Sequence, residues 1–161
     1  MAKRKETAAV ISQEQLAPGI FSMWLRCGLA AEAKPGQFIS IYSKDGSRLL
    51  PRPISLCEIE ADRVRVVYRT AGKGTEEFSS YQKGDPVTIL GPIGNGFPLP
   101  EGKVMLIGGG IGIPPMLALA KALKEEGAEV SVVLGYRDGD LFLKKEFEPY
   151  ADVYVSTEDG S

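Results

Sequence analysis

A run of glycines between an apolar segment and a helical pattern limits most strongly how this chain can fold. Val104–Ile107 is apolar throughout, as in a buried parallel strand, and the glycine-rich segment Gly108–Gly112 follows it directly. A helix is predicted from Pro114, because proline suits a first helical position and apolar residues recur with helical spacing. Its inner face would carry Leu117, Ala120 and Leu123, and Gly127 would end it. This segment therefore predicts a strand, a tight turn and a helix.

The residues after this helix continue the same alternation. Glu129–Leu134 is predicted as a second strand, Leu141–Phe147 as a short helix and Asp152–Val155 as a third strand. Strands that alternate with helices indicate a parallel α/β sheet. Three strands are few for a dinucleotide-binding sheet, so we expect the chain to stop before such a domain is complete.

Up to about residue 100 the sequence consists of short β-rich runs separated by Gly, Pro and Asp. The predicted strands are Thr7–Gln13, Ile20–Arg26, Gln37–Tyr42, Ile54–Ile59, Val64–Arg69 and Val87–Leu90. Six short strands at this spacing favour a closed antiparallel β-barrel. Gly91–Pro100 is rich in Gly and Pro and is predicted to be the linker, and lining a cofactor site is a second role compatible with its sequence. The predicted domains are 1–100 and 101–161.

Composition excludes several classes of function. Histidine is absent and the chain has two cysteines, Cys27 and Cys57, without CxxC spacing, so neither a zinc site nor an iron–sulfur site is expected. A net charge of −2 with interspersed signs gives no basic stripe for nucleic acid. No apolar run approaches a membrane span, and we expect a cytoplasmic protein. Without histidine, an enzyme of this kind would rely on a bound cofactor.

The glycine turn is the first candidate binding segment. Exposed amides and the positive end of the helix dipole suit a pyrophosphate at such a turn. The pattern differs from the dinucleotide fingerprint GxGxxG, because Ile113 stands where the third glycine would be. The alternative is a purely structural turn between strand and helix.

A second candidate is the segment Arg52–Ser55. The planar guanidinium of Arg52 can donate two parallel hydrogen bonds to a phosphate group. In a regular strand Arg52 and Ser55 point to opposite faces, so a shared ligand is expected to require irregular backbone at Pro53. Otherwise Arg52 would be an ordinary solvated edge residue.

A third candidate is Gly72–Phe78, a glycine turn that leads into a short helix. Thr75 is expected to cap this helix, and the free amides of its first turn can bind a further phosphate oxygen. An ordinary helix start gives the same pattern.

Four segments, in this order, carry a family resemblance: Arg52–Ile59, Gly72–Phe78, Gly91–Phe97 and Thr157–Ser161. The superfamily that they resemble is that of the ferredoxin reductases, whose motifs are matched by Arg52–Ser55, by Val67–Arg69 with Gly74 and Thr75, and by the glycine turn. The four segments resemble more closely the electron-transfer subunit of NAD-dependent (class 1B) dihydroorotate dehydrogenase. The resemblance implies FAD and NAD(H) as cofactors, a catalytic subunit with FMN as partner in a hetero-oligomer, and a role in pyrimidine biosynthesis. It also implies a [2Fe-2S] cluster held by four cysteines, a set that this chain does not contain.

The resemblance also implies roles for individual residues. Those at the FAD pyrophosphate and flavin ring would be Arg52, Pro53, Ile54 and Ser55. Those at the ribityl, phosphate and adenosine parts would be Val67, Tyr68, Arg69, Gly74 and Thr75. Those under the NADH pyrophosphate would be Gly108, Gly109, Gly110, Gly112 and Pro114. Those near the adenosine ribose would be Gly135, Tyr136 and Arg137, and those approaching the nicotinamide would be Glu158 and Asp159. Ser55 is the candidate hydrogen-bond donor to reduced flavin, and so the candidate catalytic residue.

Two other functions are compatible with the residues. The chain could be the reductase subunit of another complex, of the hydrogenase or glutamate synthase type, or a non-enzymatic β-barrel interaction module. Arg137 can meet the 2′-phosphate of NADPH, but Asp138 and Asp140 would repel it, which favours NADH. Cys27 and Cys57 are expected to be small buried apolar residues.

Overall fold

The first part of the fold is a closed barrel. The structure is a computed structural model that describes residues 3–161. Six strands close in the order β1-β2-β5-β4-β3-β6, and every neighbouring pair is antiparallel. The strands are β1 (Arg4–Ala17), β2 (Ile20–Arg26), β3 (Phe38–Ile41), β4 (Arg52–Ile59), β5 (Arg63–Arg69) and β6 (Pro86–Ile93). A short helix, α1 (Lys73–Ser79), lies between β5 and β6.

The second part is a parallel α/β sheet. Its elements are β7 (Lys103–Gly109), α2 (Pro114–Glu125), β8 (Glu129–Tyr136), α3 (Lys144–Phe147) and β9 (Asp152–Thr157). The strand order is β7-β8-β9, and both pairs are parallel. α2 packs with Leu117, Ala120 and Leu123 fully buried, as the sequence pattern predicts. On the strand side away from these residues, Met105, Ile107 and Tyr154 are exposed.

The barrel and the sheet share an apolar junction because β5 contributes apolar side chains to the cores on both of its sides. Val64, Val66 and Tyr68 fill the barrel core, whereas Val67 points outward. Val67, together with Ile20 and Cys57, belongs to the apolar cluster that contains Leu117 of α2. The other outward positions of β5 are arginines, at Arg63, Arg65 and Arg69.

A buried arginine completes the junction on the same side of β5. Arg65 is 4% exposed, and its Nε donates a hydrogen bond of 2.7 Å to Ser22 Oγ. Its guanidinium also pairs with Glu58 on β4, at 2.7 Å, and with both carboxylate oxygens of Glu146 on α3. One side chain therefore joins the barrel to the α/β half.

The structure confirms the six-stranded barrel, the parallel sheet and all nine predicted strands, with four corrections in detail. Gly91, Pro92 and Ile93 are not linker residues but the end of β6, where Gly91 pairs with Arg4 and Ile93 with Phe38. Gly91 fits there because a Cβ would lie 2.9 Å from Ile39 Cγ2.

The other corrections concern three element starts. β4 begins at Arg52 rather than Ile54, because Arg52 and Pro53 pair with β3. β1 begins at Arg4 rather than Thr7 and pairs there with β6. The third predicted helix is confined to Lys144–Phe147, since Leu143 has a left-handed backbone (φ 67°) that is incompatible with a helix running through it. The domain division at residue 100 stays a prediction.

Membrane-spanning helices and clusters of metal-ligand side chains are both absent from the described residues. No helix in residues 3–161 has the length and apolar character needed to cross a bilayer. Within the same residues, no three His, Cys, Asp or Glu side chains are grouped as metal ligands.

We predict that Arg65→Met strongly destabilises the fold. The substitution leaves Glu58 without its cation in a site where its side chain is 19% exposed, and breaking one side of a buried ion pair costs about 3–5 kcal/mol. Because Glu146 is 43% exposed and stays solvated, we expect the lower end of that range. Urea denaturation measures the change.

The matched control is Lys103→Met. Lys103 pairs with Glu129 at 3.9 Å, and the two side chains are 88% and 77% exposed. Its removal should leave the free energy of unfolding almost unchanged. Equal destabilisation by the two variants would contradict a special role for Arg65 at the junction.

Candidate functional site

The barrel opens between β4 and β5 at one end. The two strands pair only from Leu56–Ile59 to Val64–Val66, whereas β4 continues along β3 over Arg52–Ser55 and β5 continues along β2 to Arg69. In Arg52–Ser55 of β4 and in Val67–Arg69 of β5, the strand edge that faces the other strand is therefore unpaired. Main-chain donors and acceptors at such an edge are available to a ligand. The two segments that the sequence points to, Arg52–Ser55 and Val67–Arg69, flank this opening.

Arg52 lies against the beginning of α1. A Cβ on Gly74 would stand 2.9 Å from Arg52 Nε, so only glycine lets the arginine pack this closely. Arg52 Nη1 donates a hydrogen bond of 2.9 Å to the carbonyl oxygen of Leu50. The structure thus brings together two segments that are about twenty residues apart, a guanidinium and the first amides of a helix. Both groups favour an anion.

Thr75 has a different position from the one predicted. The helix begins at Lys73 after Gly72, so Thr75 is inside the first turn and is not the capping residue. Its Oγ accepts a hydrogen bond from the Ala71 amide at 2.8 Å and donates one to the Gly72 carbonyl oxygen at 3.0 Å. Thr75 is buried and fixes the glycine turn from within.

Ser55 and Arg52 are on opposite faces of a regular strand. The β3–β4 register runs without a break from Arg52 to Ser55, so the irregular backbone expected at Pro53 is absent, and the register shift lies instead between Leu56 and Glu58. Ile54, on the Arg52 face, packs against the barrel core, whereas Pro53 and Ser55 are exposed. A ligand that contacts both Arg52 and Ser55 must therefore extend along the strand edge.

Two of the predicted contact residues have buried side chains. Val67 is 2% exposed in the α/β cluster, and Tyr68 is 1% exposed in the barrel core, where its hydroxyl donates to Gln13 Oε1. Burial raises the pKa of Tyr68. Only the main chain of these two residues is open to a cofactor. Arg69, in contrast, is exposed.

The glycine turn combines close packing with open surface. A Cβ on Gly108 would lie 3.1 Å from Ile113 Cα, so this glycine lets β7 approach the start of α2. Gly110 has φ 55°, and Gly109 and Gly112 would meet nothing within 4 Å. Pro114 is buried at the first position of α2. The turn is therefore structural at Gly108 and free for a ligand at Gly109 and Gly112.

A cleft of about 400 Å³ links the turn to the barrel. It is lined by residues of the β1–β2 turn, by Arg69 and Gly110, and by the end of β8 and the residues after it, including Tyr136 and Arg137. A Cβ on Gly110 would stand 3.8 Å from an Arg69 guanidinium nitrogen. Tyr136 is fixed there by a 2.8 Å hydrogen bond to the Phe142 carbonyl oxygen, and Gly135 pairs with Gly109 at the adjacent strand end.

A larger cavity, of about 740 Å³, lies at the other end of the sheet. It is lined by the amino ends of β7, β8 and β9, including Lys103 and Asp152, and by none of the predicted site residues. Ligands of open parallel sheets bind at the carboxyl ends of the strands, so the smaller cleft is the better candidate.

Glu158 and Asp159 follow the edge strand β9. The Glu158 amide donates to the Tyr136 carbonyl oxygen at 3.0 Å, which puts both acidic residues beside the end of β8 and two strands from the glycine turn. Hydrogen bonds from Ser161 lower the pKa of Asp159. The strand order places Glu158 and Asp159 next to Gly135–Arg137, the segment predicted for the adenosine ribose. It does not support their predicted position beside the nicotinamide.

The two cysteines are buried in different cores. Cys27 belongs to the barrel core and Cys57 to the α/β cluster, as expected for small apolar residues. Burial raises the pKa of Cys27 to about 11 and also raises that of Cys57. Neither thiol is available as a metal ligand or a nucleophile at neutral pH.

Comparison with known proteins adds a family to this geometry. A dihydroorotate dehydrogenase B (NAD⁺) electron-transfer subunit from Streptococcus mutans is 44% identical over 98% of this chain, and the one from Listeria innocua is 40% identical over 94% of it. The chain is therefore similar to the family of these electron-transfer subunits over nearly its whole length. It spans 64% and 63% of their lengths, respectively. No protein-family model matches the sequence.

Solved structures agree with this family at the level of the fold. An NADH-dependent reduced ferredoxin–NADP oxidoreductase is 32% identical and superposes with a TM-score of 0.87, over 96% of this chain and 57% of that one. Phthalate dioxygenase reductase, at 23% identity and a TM-score of 0.77, covers 98% of this chain and 53% of its own. The barrel followed by a parallel sheet is therefore a ferredoxin reductase-like fold.

Two contacts at the site could not be read from the sequence. Arg69 lies beside Gly110 although forty residues separate them, and the loop before Arg52 is tied to α1 by Glu77. Neither Arg69 nor Glu77 shares a sequence motif with the segment that it contacts.

We predict that Gly109→Val and Gly108→Val have opposite consequences. Gly109 has an extended backbone (φ −126°) and free space, so valine should fold normally while its side chain covers the turn and weakens NADH binding at least tenfold. Valine at Gly108 should lower thermal stability, because its side chain meets Ile113 and Met116. Fluorescence titration with NADH and thermal unfolding separate the two. Normal NADH binding by Gly109→Val would move the dinucleotide away from the turn.

Proposed function

We propose that this chain forms the FAD- and NAD(H)-binding part of an electron-transfer subunit that moves electrons between NAD and the FMN-containing catalytic subunit of a dihydroorotate dehydrogenase, in pyrimidine biosynthesis. The observation that carries the proposal is the common border of two candidate sites. The opening between β4 and β5 ends at Arg69, and Arg69 lies beside Gly110 of the glycine turn. Two dinucleotides bound at these places would meet at the junction of barrel and sheet.

The barrel residues fit FAD in three respects. The guanidinium of Arg52 and the first amides of α1 suit the pyrophosphate, since both present donors to an anion. The unpaired edges of Arg52–Ser55 and Val67–Arg69 offer main-chain hydrogen bonds to an extended ligand. Ser55 is exposed on the face of β4 that carries Cys57, which packs against the α/β half, so its hydroxyl can donate to a flavin ring there.

The α/β residues fit a nicotinamide dinucleotide. The open amides at Gly109 and Gly112 and the start of α2 suit its pyrophosphate, and Tyr136 and Arg137 line the same cleft. Asp138 and Asp140 also line this cleft, which favours the ribose hydroxyls of NADH over the 2′-phosphate of NADPH.

The chain itself contributes alignment and hydrogen bonding. When bound, FAD would exchange a hydride with the nicotinamide and deliver the electrons to an acceptor. The apolar junction around Val67 keeps the barrel and the sheet in a fixed relation, and Arg52 holds the phosphate end so that the ring end is placed at Ser55. Such a reaction needs orientation more than an acid or base, which agrees with a sequence that lacks histidine.

The cluster, the partner and the location in the cell belong to this proposal as well. The resemblance implies a [2Fe-2S] cluster, but Cys27 and Cys57 are buried in separate cores and do not fit one. We assign the cluster to the part of the relatives' length that this chain does not span, and derive no step through it. The FMN-bearing partner in a hetero-oligomer and a cytoplasmic location remain predictions.

We predict that the chain binds FAD in preference to FMN, and that Arg52→Ala weakens FAD about ten- to a hundredfold, since a charge-assisted hydrogen bond contributes about 1.5–3 kcal/mol. Fluorescence titration of the flavin gives both affinities. Arg26→Ala removes an arginine whose side chain is 59% exposed and should leave binding unchanged. Equal affinity for FMN and FAD would contradict a pyrophosphate site.

We predict that NADH reduces the bound FAD, seen as loss of the flavin's visible absorption without oxygen, and does so faster than NADPH. The chain alone should not pass these electrons to a dihydroorotate dehydrogenase catalytic subunit, because the cysteines of the relay cluster are missing. A relative of full length, such as the Streptococcus mutans subunit, serves as the positive control. Efficient transfer by this chain alone would contradict the relay.

A further inference from the structure

Glu77 on α1 collects donors from a loop that precedes the candidate FAD site. Ser43 Oγ donates to it at 2.6 Å, the Lys44 amide at 2.9 Å and Arg48 Nη1 at 2.9 Å. The Tyr81 hydroxyl, one turn further along the chain, donates to the same carboxylate. The side chain of Glu77 is 17% exposed and that of Arg48 is 26% exposed, so the pair is partly shielded from water.

Charge and hydrogen bonding keep this carboxylate ionised. Burial acts to raise its pKa, but the hydrogen bonds from Ser43, Tyr81 and Lys44 and the charge of Arg48 outweigh burial, so the pKa of Glu77 is lowered. A charged acceptor holds its donors more firmly than a neutral one. The loop is therefore fixed to α1 at neutral pH.

The fixed loop leads directly to Arg52. Leu50, at the end of the loop, receives the hydrogen bond of the Arg52 guanidinium, and Arg52 in turn packs on Gly74 at the start of α1. The contacts form a closed ring that runs from α1 through Glu77 and the loop to Arg52 and back to α1. A change at one point of such a ring shifts the others, so Glu77 can affect the direction of the guanidinium without touching a ligand.

Besides the hydrogen bonds to Glu77, the loop has a contact between Lys44 Nζ and the Tyr81 ring, at 4.6 Å from the ring centre. Leu49 and Leu50 are 83% and 75% exposed, and Asp45 is engaged within the loop by Ser47 and Arg48. An exposed loop of this kind loses its defined conformation when its main anchor is removed, because ordering it costs conformational entropy.

We propose that Glu77 is a positioning residue for the phosphate-binding half of the FAD site. It acts through the 43–50 loop on Arg52. This inference rests on the proposed function, and it adds a residue that would not contact FAD itself.

The test is a double-mutant cycle on FAD affinity with Glu77→Gln and Arg52→Ala. Glu77→Gln alone should weaken FAD about tenfold, in the range of a charged hydrogen bond. In the Arg52→Ala background the same change should have a much smaller effect, because the residue through which it acts has gone. If the loss of FAD affinity in the double variant equals the product of the two single losses, the proposal is overturned, since Glu77 then acts independently of Arg52.

Two controls separate positioning from general destabilisation. Glu14→Gln removes the same charge from an exposed residue on β1 and should leave FAD affinity unchanged. Thermal unfolding of each variant without FAD, and circular dichroism, check that the barrel remains folded under the titration conditions. Glu77→Asp keeps the charge and should recover part of the affinity.

The outcomes also distinguish this inference from the function on which it rests. A wild-type chain that takes up no FAD would contradict the proposed function. Normal uptake by the wild type with unchanged affinity in Glu77→Gln would overturn the role of Glu77 alone. A loss of affinity in Glu77→Gln that persists undiminished in the Arg52→Ala background would have the same consequence.

Discussion

The double-faced packing of the barrel strands is the constraint on which the rest of the structure depends. β5 buries Val64, Val66 and Tyr68 inside the barrel and Val67 outside it, and β4 adds Cys57 to the outer cluster. The outer cluster also contains the core of α2, so the barrel cannot lose its neighbour without exposing apolar side chains to water. Arg65 adds a polar tie at this buried surface, with its charge compensated from both sides. A fixed junction is what two electron-carrying cofactors would require, because their relative orientation then follows from the protein.

The separation of β4 from β5 follows from the same packing. Both strands pair as far as Leu56 and Val66, and beyond this point each is held by its other neighbour. The barrel therefore remains closed at its middle while it offers unpaired strand edges at one end. Main-chain groups at these edges, together with Gly74 and the glycine turn, make the candidate site largely one of backbone atoms. That explains how two residues of the resemblance motif, Val67 and Tyr68, can be buried in cores and still belong to it.

The sequence predicted elements better than it predicted contacts. Strand periodicity, the apolar run before the glycines and the proline at the start of α2 are local signals, and they located nine strands and the main helix. The errors arose where tertiary pairing overrides a local signal. Gly91–Ile93 resembles a linker but is paired on both sides, and Arg52 and Pro53 resemble a turn but continue β4. The contacts of Arg69 with the turn and of Glu77 with its loop depend on how distant segments fold together, and no spacing rule contains that information.

A chain with no histidine and two buried cysteines can still support redox chemistry if its task is geometric. The groups that this site can offer are amides, arginine guanidinium groups, an exposed serine hydroxyl and glycines that leave room. None of them has to change protonation state during a turnover, so their value depends on placement to within a few tenths of an ångström. Placement of a guanidinium on a strand end needs support from outside the site. Among the described residues, Arg52 is hydrogen-bonded to the Leu50 carbonyl oxygen and lies against Gly74, and both of these neighbours belong to segments that other contacts must hold in place. In that respect the residues that do not touch a cofactor, Arg65 at the junction and Glu77 beneath the loop, are as much a part of the functional design as those that would.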